Sequence, residues 1–312
     1  MRRTSNAEEL FARKLMKPFS DFTQVEIQNE LRAVTKLCRG NPRHLVGVHG
    51  QGQLQDSPYY FIDMELCDIN LEEYIYGRQA LHDPCDTRKI WSIMAQITDG
   101  LTFIHNQNEV HRDLKPTNSF IFPGSFLILV LYSSEQDAWK IADFGFSTDR
   151  SSKTTMLTEQ GRGTTSYRAP ELLAMVPTFN DRVDIWALGC ILFELAIKKR
   201  AFIADWHVSQ HAQQGLKLSI ELPDSIELAN RTLLTNIVRE MLRINSNKRP
   251  CASELRESFH LLSERGTSSA FTVQGDYFLS KICHPLSSDE PDEPESDIEN
   301  VGLPYVLFDL FF

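Results

Sequence analysis

The residues best equipped for chemistry are clustered. Val110-His-Arg-Asp-Leu-Lys-Pro-Thr-Asn118 places an imidazole, a guanidinium, a carboxylate, an ammonium and a carboxamide within nine positions. A second carboxylate, Asp143 in Ala142-Asp-Phe-Gly145, comes 25 residues after Asn118. Acids for a metal ion, a cation for an anionic oxygen and an acceptor for a proton are the parts that phosphoryl transfer needs, because that reaction is mostly positioning plus charge stabilisation. Further strings follow in order: Thr164-Thr-Ser-Tyr-Arg-Ala-Pro-Glu171, Asp184-Ile-Trp-Ala-Leu-Gly189 and Asn247-Lys-Arg-Pro250. Upstream stands Phe11-Ala-Arg-Lys14, and Glu30 lies 16 residues after that lysine. A lone Lys and Glu at such spacing are ordinarily solvated surface residues; here the downstream strings give them a context.

This ordered set resembles the eukaryotic protein kinase family, serine/threonine type, from about Leu10 to about Leu262. The family's H-R-D-L-x-x-x-N, D-F-G and A-P-E signatures stand here in the same order. The resemblance implies ATP and Mg²⁺ as cofactors and Ser/Thr hydroxyls of proteins as acceptors. It assigns Asp113 to orient the hydroxyl and take its proton, and Lys115 to neutralise the transferring phosphate. Asn118 and Asp143 become the metal ligands, with oxygen atoms of the kind that hard Mg²⁺ prefers. Lys14 becomes the contact for the α- and β-phosphates, with Glu30 as its ion-pair partner. Met64-Glu-Leu-Cys67 is similar to the family's hinge, with Met64 as gatekeeper and backbone groups of Glu65 and Cys67 on the adenine. As a residue in its own right, Cys67 also reads as a buried small hydrophobe. Leu131 is the adenine floor if the preceding segment bulges out, and Phe120 if it does not. His111 packs the loop, and Arg112 pairs with a phosphate on the activation segment. Asp184 holds the catalytic loop through its backbone, and Glu171 pairs with Arg249. Lys115 and Thr164 favour Ser/Thr over Tyr acceptors. Ser151, Ser152, Thr154, Thr155 and Thr158 are the candidate phosphosites, Thr158 slightly ahead.

The elements that must hold these residues can be read from periodicity. Leu10 to Met16 and Tyr59 to Leu66 read as strands. Glu26 to Cys38 reads as a helix with Ile27, Leu31, Val34 and Leu37 on one face. Ile90 to His105, Asp184 to Lys198, Leu233 to Leu242 and Ala252 to Leu262 read as further helices. In the second of these, Leu188, Ile191, Leu192 and Leu195 form the expected buried face. Strands first and helices after give an α+β, bilobal fold: a kinase domain over 1–263, with a strand-rich N-lobe over 1–66 and a helical C-lobe over 67–263. Residues 264–312 read as an acidic, disordered tail.

Two departures from the family pattern shape the expectations. Only 13 residues precede Lys14 and none is glycine, whereas the family's Gly-rich loop precedes that lysine. The N-lobe is therefore expected to be incomplete, and a pseudokinase-like binding or scaffold protein stands as the alternative to an active kinase. The spacing from Asn118 to Asp143 is about twice the family's usual one, so residues 119–129 read as an insertion. Gly50-Gln-Gly52 and Gly161-Arg-Gly163 follow Lys14 instead of preceding it, and read as turn glycines. No G-x-x-x-x-G-K-[ST] string is present. His207 and His211 have the spacing of a zinc pair but lack the H-E-x-x-H acid, and read as ordinary helix surface.

Composition closes several classes. With 312 residues, 42% hydrophobic and 24% charged, the chain has the profile of a globular protein. The net charge of −10 argues against a nucleic-acid binder. Eight acids and no Lys or Arg fall in residues 286–312, which leaves a nearly neutral body of 32 basic and 34 acidic residues. The six cysteines are far apart, without a C-x-x-C pair, and read as reduced thiols of a cytoplasmic or nuclear protein. No leader and no membrane span is expected, and nothing in the sequence reports an oligomeric state.

Overall fold

The structure, a computed structural model, describes residues 10–19, 21–77, 86–116, 119–120, 126–127, 130–145, 147–149, 156–157, 165–214, 218–224, 226–265 and Leu279. Strand β1 (Phe11–Met16) leads into helix α1 (Asp21–Leu37), followed by β2 (Val48–Gln53) and β3 (Tyr60–Glu65). The three strands form one antiparallel sheet in the order β1-β3-β2. Alternation sets the faces of β1: Phe11, Arg13 and Leu15 point outward, while Ala12, Lys14 and Met16 are half-buried. Lys14 is thereby aimed at α1, opposite Ile62 in the register. Helix α1 begins five residues before the expected start at Glu26, and Ile27, Ala33, Val34 and Leu37 are its buried stripe. Gly50 and Gly52 correct the expectation of a turn: both lie inside β2, beside the ring of Phe61, with a bulge between Val48 and Gly50. Gly161 and Gly163 lie outside the described residues.

The second part opens with β4 (Ile69–Asn70) and α2 (Leu71–Tyr76). Asn70 and Glu73 close a reciprocal capping box on α2: the Asn70 side chain accepts the Glu73 N–H at 2.9 Å, and the Glu73 carboxylate accepts the Asn70 N–H at 3.1 Å. Helix α3 (Thr87–Asn106) follows, then β5 (Glu109–Val110), β6 (Ser119–Phe120), β7 (Phe126–Leu127), β8 (Val130–Ser133), β9 (Ala138–Ile141) and β10 (Thr148–Asp149). Strands β6 and β7 pair with one another, whereas β8 pairs with β4 and β9. Residues 119–120 and 126–127 thus pair with each other, apart from the sheet of β4, β8 and β9. A parallel bridge from Leu45 to Ile141 joins the segment after α1 to β9, with the Val46 N–H on the Ile141 carbonyl at 2.9 Å.

The remaining elements are β11 (Met156–Leu157), β12 (Thr178–Phe179), α4 (Arg182–Ile197), α5 (Asp205–Gln214), α6 (Leu228–Met241) and α7 (Ala252–Arg265). The face expected of α4, Leu188, Ile191, Leu192 and Leu195, is buried, and burial extends beyond it. Every residue from Val183 to Ala196 is buried, as befits a helix apolar all round. Gly189 lets α6 approach, since a Cβ there would lie 2.9 Å from Met241 Cβ and Leu242 Cδ2. Helix α3 packs on α7 through the stacked rings of Trp91 and Phe259, 5.8 Å apart. A small sheet-bearing part thus sits on a larger helical one. Helix α7 runs through Arg265 and Leu279 is buried; the rest of the expected tail lies outside the described residues. Among the described residues, no helix is long and apolar enough to cross a membrane.

Candidate active site

Strand β1, helix α1 and the segment after β9 converge on one ammonium group. Lys14 Nζ lies 2.6 Å from Glu30 Oε1 and 3.0 Å from Asp143 Oδ1, joining residues 16 and 129 positions apart. Burial alone would raise the Asp143 carboxyl; the Lys14 ammonium and the Gly145 N–H at 3.1 Å outweigh it and hold the group below the ordinary carboxylate range. Glu30 goes the other way, pushed up to about 7 by burial and by the charge on Asp143, against the pull of Lys14. The two acids reverse the effect of burial on Lys14, whose affinity for its proton is raised. Gly145 fits between the acids, because a Cβ would lie 3.2 Å from both Asp143 Oδ1 and Glu30 Oε2.

The loop after β5 is held from below. Asp184, at the start of α4, accepts the His111 N–H at 2.9 Å, the Arg112 N–H at 2.7 Å and the His105 Nε2–H at 2.9 Å. Burial works against ionisation of Asp184, and these donors still keep its pKa low. Arg112 and Asp143 both have left-handed backbone, φ 69° and 61°, a conformation that non-glycine residues adopt only when their surroundings enforce it. The carboxylate of Asp184 is that enforcement at Arg112. His111 is fully buried, its Nε2 3.2 Å from the Ala142 carbonyl and its ring edge-on to Phe144. Asp113 and Lys115 are likewise buried and paired at 2.9 Å through Asp113 Oδ2. Asn118, the other expected ligand, lies outside the described residues.

The expected hinge begins inside β3, whose last two residues are Met64 and Glu65. Met64 is half-buried against the core. The Glu65 N–H is taken by the Gly47 carbonyl at 2.9 Å, and Glu65 stands opposite Phe11 of β1. Cys67 is half-buried, its thiol pushed up to about 12 by burial and by Glu65, which suits the reading of a small hydrophobe over that of a reactive thiolate. Leu131 on β8 is half-buried opposite Lys140, whereas the side chain of Phe120 lies outside the description. Sequence reasoning missed what lies beneath this segment. Fully buried Lys140 donates to Glu65 Oε1 at 2.5 Å, and the same oxygen accepts the Gly47 N–H. The signal was available: a lysine three residues before Asp143, in a strand otherwise apolar.

Arg112 stacks its guanidinium 4.1 Å from the centroid of the Phe179 ring. Thr164 and the five candidate phosphosites lie outside the described residues. Arg249 grips Glu171 with two bonds of 2.6 and 2.8 Å and also donates to the carbonyls of Arg182, Arg243 and Ile244. Glu194 of α4 accepts the hydroxyls of Tyr167 and Tyr76 at 2.5 and 2.9 Å, a connection that no motif announced. His207 and His211 are not plain helix surface: both pack on the ring of Phe202.

Among the described residues no three His, Cys, Asp or Glu side chains gather in a metal-binding group. The acidic oxygens at Asp143 suit a hard cation that completes its shell with phosphate and water oxygens, which is how Mg²⁺ is usually held. Asp143, the described member of the expected pair, fits such an ion.

Comparison with known proteins agrees with this geometry. The family model for the protein kinase domain matches residues 2–260. Serine/threonine-protein kinase MAK of Mus musculus is 26% identical over 336 residues, covering 98% of this chain and 50% of its own. Mitogen-activated protein kinase 5 of Arabidopsis thaliana is 32% identical over 228 residues, 71% of this chain and 54% of its own. Mitogen-activated protein kinase 13 of the same plant is 30% identical over 228 residues, with shares of 71% and 56%. The chain spans about half the length of these curated relatives. Members of this family use ATP and Mg²⁺.

Proposed function

The chain belongs to the protein kinase family, and from that premise we propose that it transfers the γ-phosphate of ATP to Ser and Thr hydroxyls of proteins. The observation that carries this reading is Lys14, brought within 3.0 Å of Asp143 while paired with Glu30. An ammonium so oriented can meet an anionic phosphate beside the acid that holds the metal. Mg²⁺, when bound by Asp143 and Asn118, supplies neutralisation of phosphate charge. Asp113 orients the acceptor hydroxyl and takes its proton, and Lys115, 2.9 Å from Asp113 Oδ2, neutralises the transferring phosphate. Asp184 fixes the loop on which both depend. Backbone groups of Glu65 and Cys67 receive the adenine, over Leu131 and behind Met64. Lys115, two residues past the base, favours Ser/Thr acceptors. Free thiols at Cys38, Cys67, Cys190 and Cys251 suit a cytoplasmic or nuclear setting.

The test is incorporation of labelled phosphate from Mg²⁺-ATP into a mixed Ser/Thr substrate, with Asp113→Asn beside the wild type. Incorporation by the wild type alone is expected. Equal background in both overturns the enzymatic reading and leaves a nucleotide-binding or scaffold protein.

A further inference from the structure

We propose that Glu109, acting through Arg32 and Lys36, is a positioning residue: it pins α1 to the strand that feeds the catalytic loop, and so keeps Glu30 where it can aim Lys14. The inference rests on the kinase reading above for its consequence, and on the following geometry for its substance. Glu109 lies in β5, two residues before His111, and is fully buried. Its Oε1 accepts from Arg32 Nη1 at 2.6 Å and from Lys36 Nζ at 2.9 Å, and its Oε2 from Arg32 Nη2 at 3.1 Å. The two cations stand one helical turn apart on α1 and reach the same carboxylate.

The clamp is asymmetric. The side chains of Arg32 and Lys36 are 39% and 32% exposed and can turn to water, while that of Glu109 is 0% exposed and cannot. Movement of α1 away from β5 would therefore leave a buried carboxylate without its partners, which is strongly unfavourable. Movement that keeps the clamp keeps Glu30 too, because Glu30 and Arg32 are two residues apart in one helix. Strand β5 is also paired with β10, Glu109 opposite Asp149 and Val110 opposite Thr148. The pinned strand thus ties the arm that leads to Asp113 to the one that follows Asp143. An apolar residue would pack at Glu109 without paying to dehydrate a charge, so packing alone does not account for an acid there.

Glu109→Leu separates the two roles, since it fills the site and lets the cations turn to solvent. If Glu109 positions α1, the variant keeps its melting temperature to within a few degrees, yet the amide hydrogens of residues 25–37 exchange about tenfold or more faster while those of α4 do not change. The KM for ATP then rises several-fold, with the KM for the protein substrate unmoved, and Glu109→Asp falls between the two. Should Glu109→Leu fail to fold, Glu109→Gln, which keeps shape and removes charge, carries the same measurements. A folded variant with wild-type exchange in α1 overturns the proposal. Exchange needs no turnover, so a wild-type chain that transfers no phosphate overturns the kinase reading without deciding this one.

Discussion

Helices α1 and α4 both hold reacting groups, and they are held in different ways. Helix α4 is buried from Val183 to Ala196, and its working residue Asp184 is a carboxylate rooted in an apolar interior. Helix α1 has an apolar stripe of four buried residues, and its pose depends on charge: Glu30 on Lys14, Arg32 and Lys36 on Glu109. Apolar burial is non-directional and is not weakened by ionic screening or by titration, whereas charged contacts are directional and sensitive to both. Perturbing α1 should change the phosphate-facing side while the fold survives; perturbing α4 should lose fold and site together.

The contrast can be broken or sharpened in order of expected effect. Lys14→Met should lower phosphate transfer by about 10³-fold, on the order of 4 kcal/mol, while the melting midpoint measured by calorimetry moves only a few degrees; a collapse of the fold would erase the contrast. Arg249→Met leaves Glu171 and three backbone carbonyls without their donor. It should cost about 3–5 kcal/mol in denaturant unfolding. Activity should then fall in step with the folded fraction. Gly189→Ala, which crowds Met241 and Leu242, should cost about 1–3 kcal/mol by the same measurement, without a change in the KM for ATP.

The smallest effect is the most specific. Glu30 has its pKa raised from an ordinary 4.5 to about 7, so between those values the folded chain binds more protons than the unfolded one. Its contribution to stability is therefore greatest below about 4.5 and is lost as pH rises through about 7. Pairing with Lys14 runs the opposite way and is complete only once Glu30 is ionised. The advantage of the wild type over Glu30→Gln in KM for ATP should shrink a few-fold from about pH 8 to about pH 6. A pH-independent ratio would show that the ionisation of Glu30 does not arm Lys14.

Much of this was legible in the sequence, for physical reasons. Local strings specify local geometry, so the loop around Asp113 and the strand at Lys14 could be placed from residue types and order, whereas the pair of Glu171 with Arg249, 78 residues apart, was available only through the resemblance to the kinase family. Long apolar helices announced themselves by composition, although periodicity understated α4: four leucine and isoleucine positions marked one face, while the glycine, cysteine, phenylalanine and glutamate between them were buried as well. The glycines of β2 were misread because glycine punctuates turns and bulged strands alike. What stayed out of sight were the charged pairs that belong to no family string. No motif singled out Glu109 or Lys140, and their burial depends on which strand lies over them, which no local window contains.

The hairpin of β6 and β7 has a practical consequence. Ser119 pairs with Leu127 and Phe120 with Phe126, and β8 begins at Val130, so the chain comes back beside its own departure point before it enters the sheet. The entropy of closing such an excursion grows only with the logarithm of its length. Additional residues between Phe120 and Phe126 should therefore leave the register of Val130 with Ile141 unchanged. That makes the hairpin a place to carry a fluorescent peptide tag within the domain, instead of at either end of the chain.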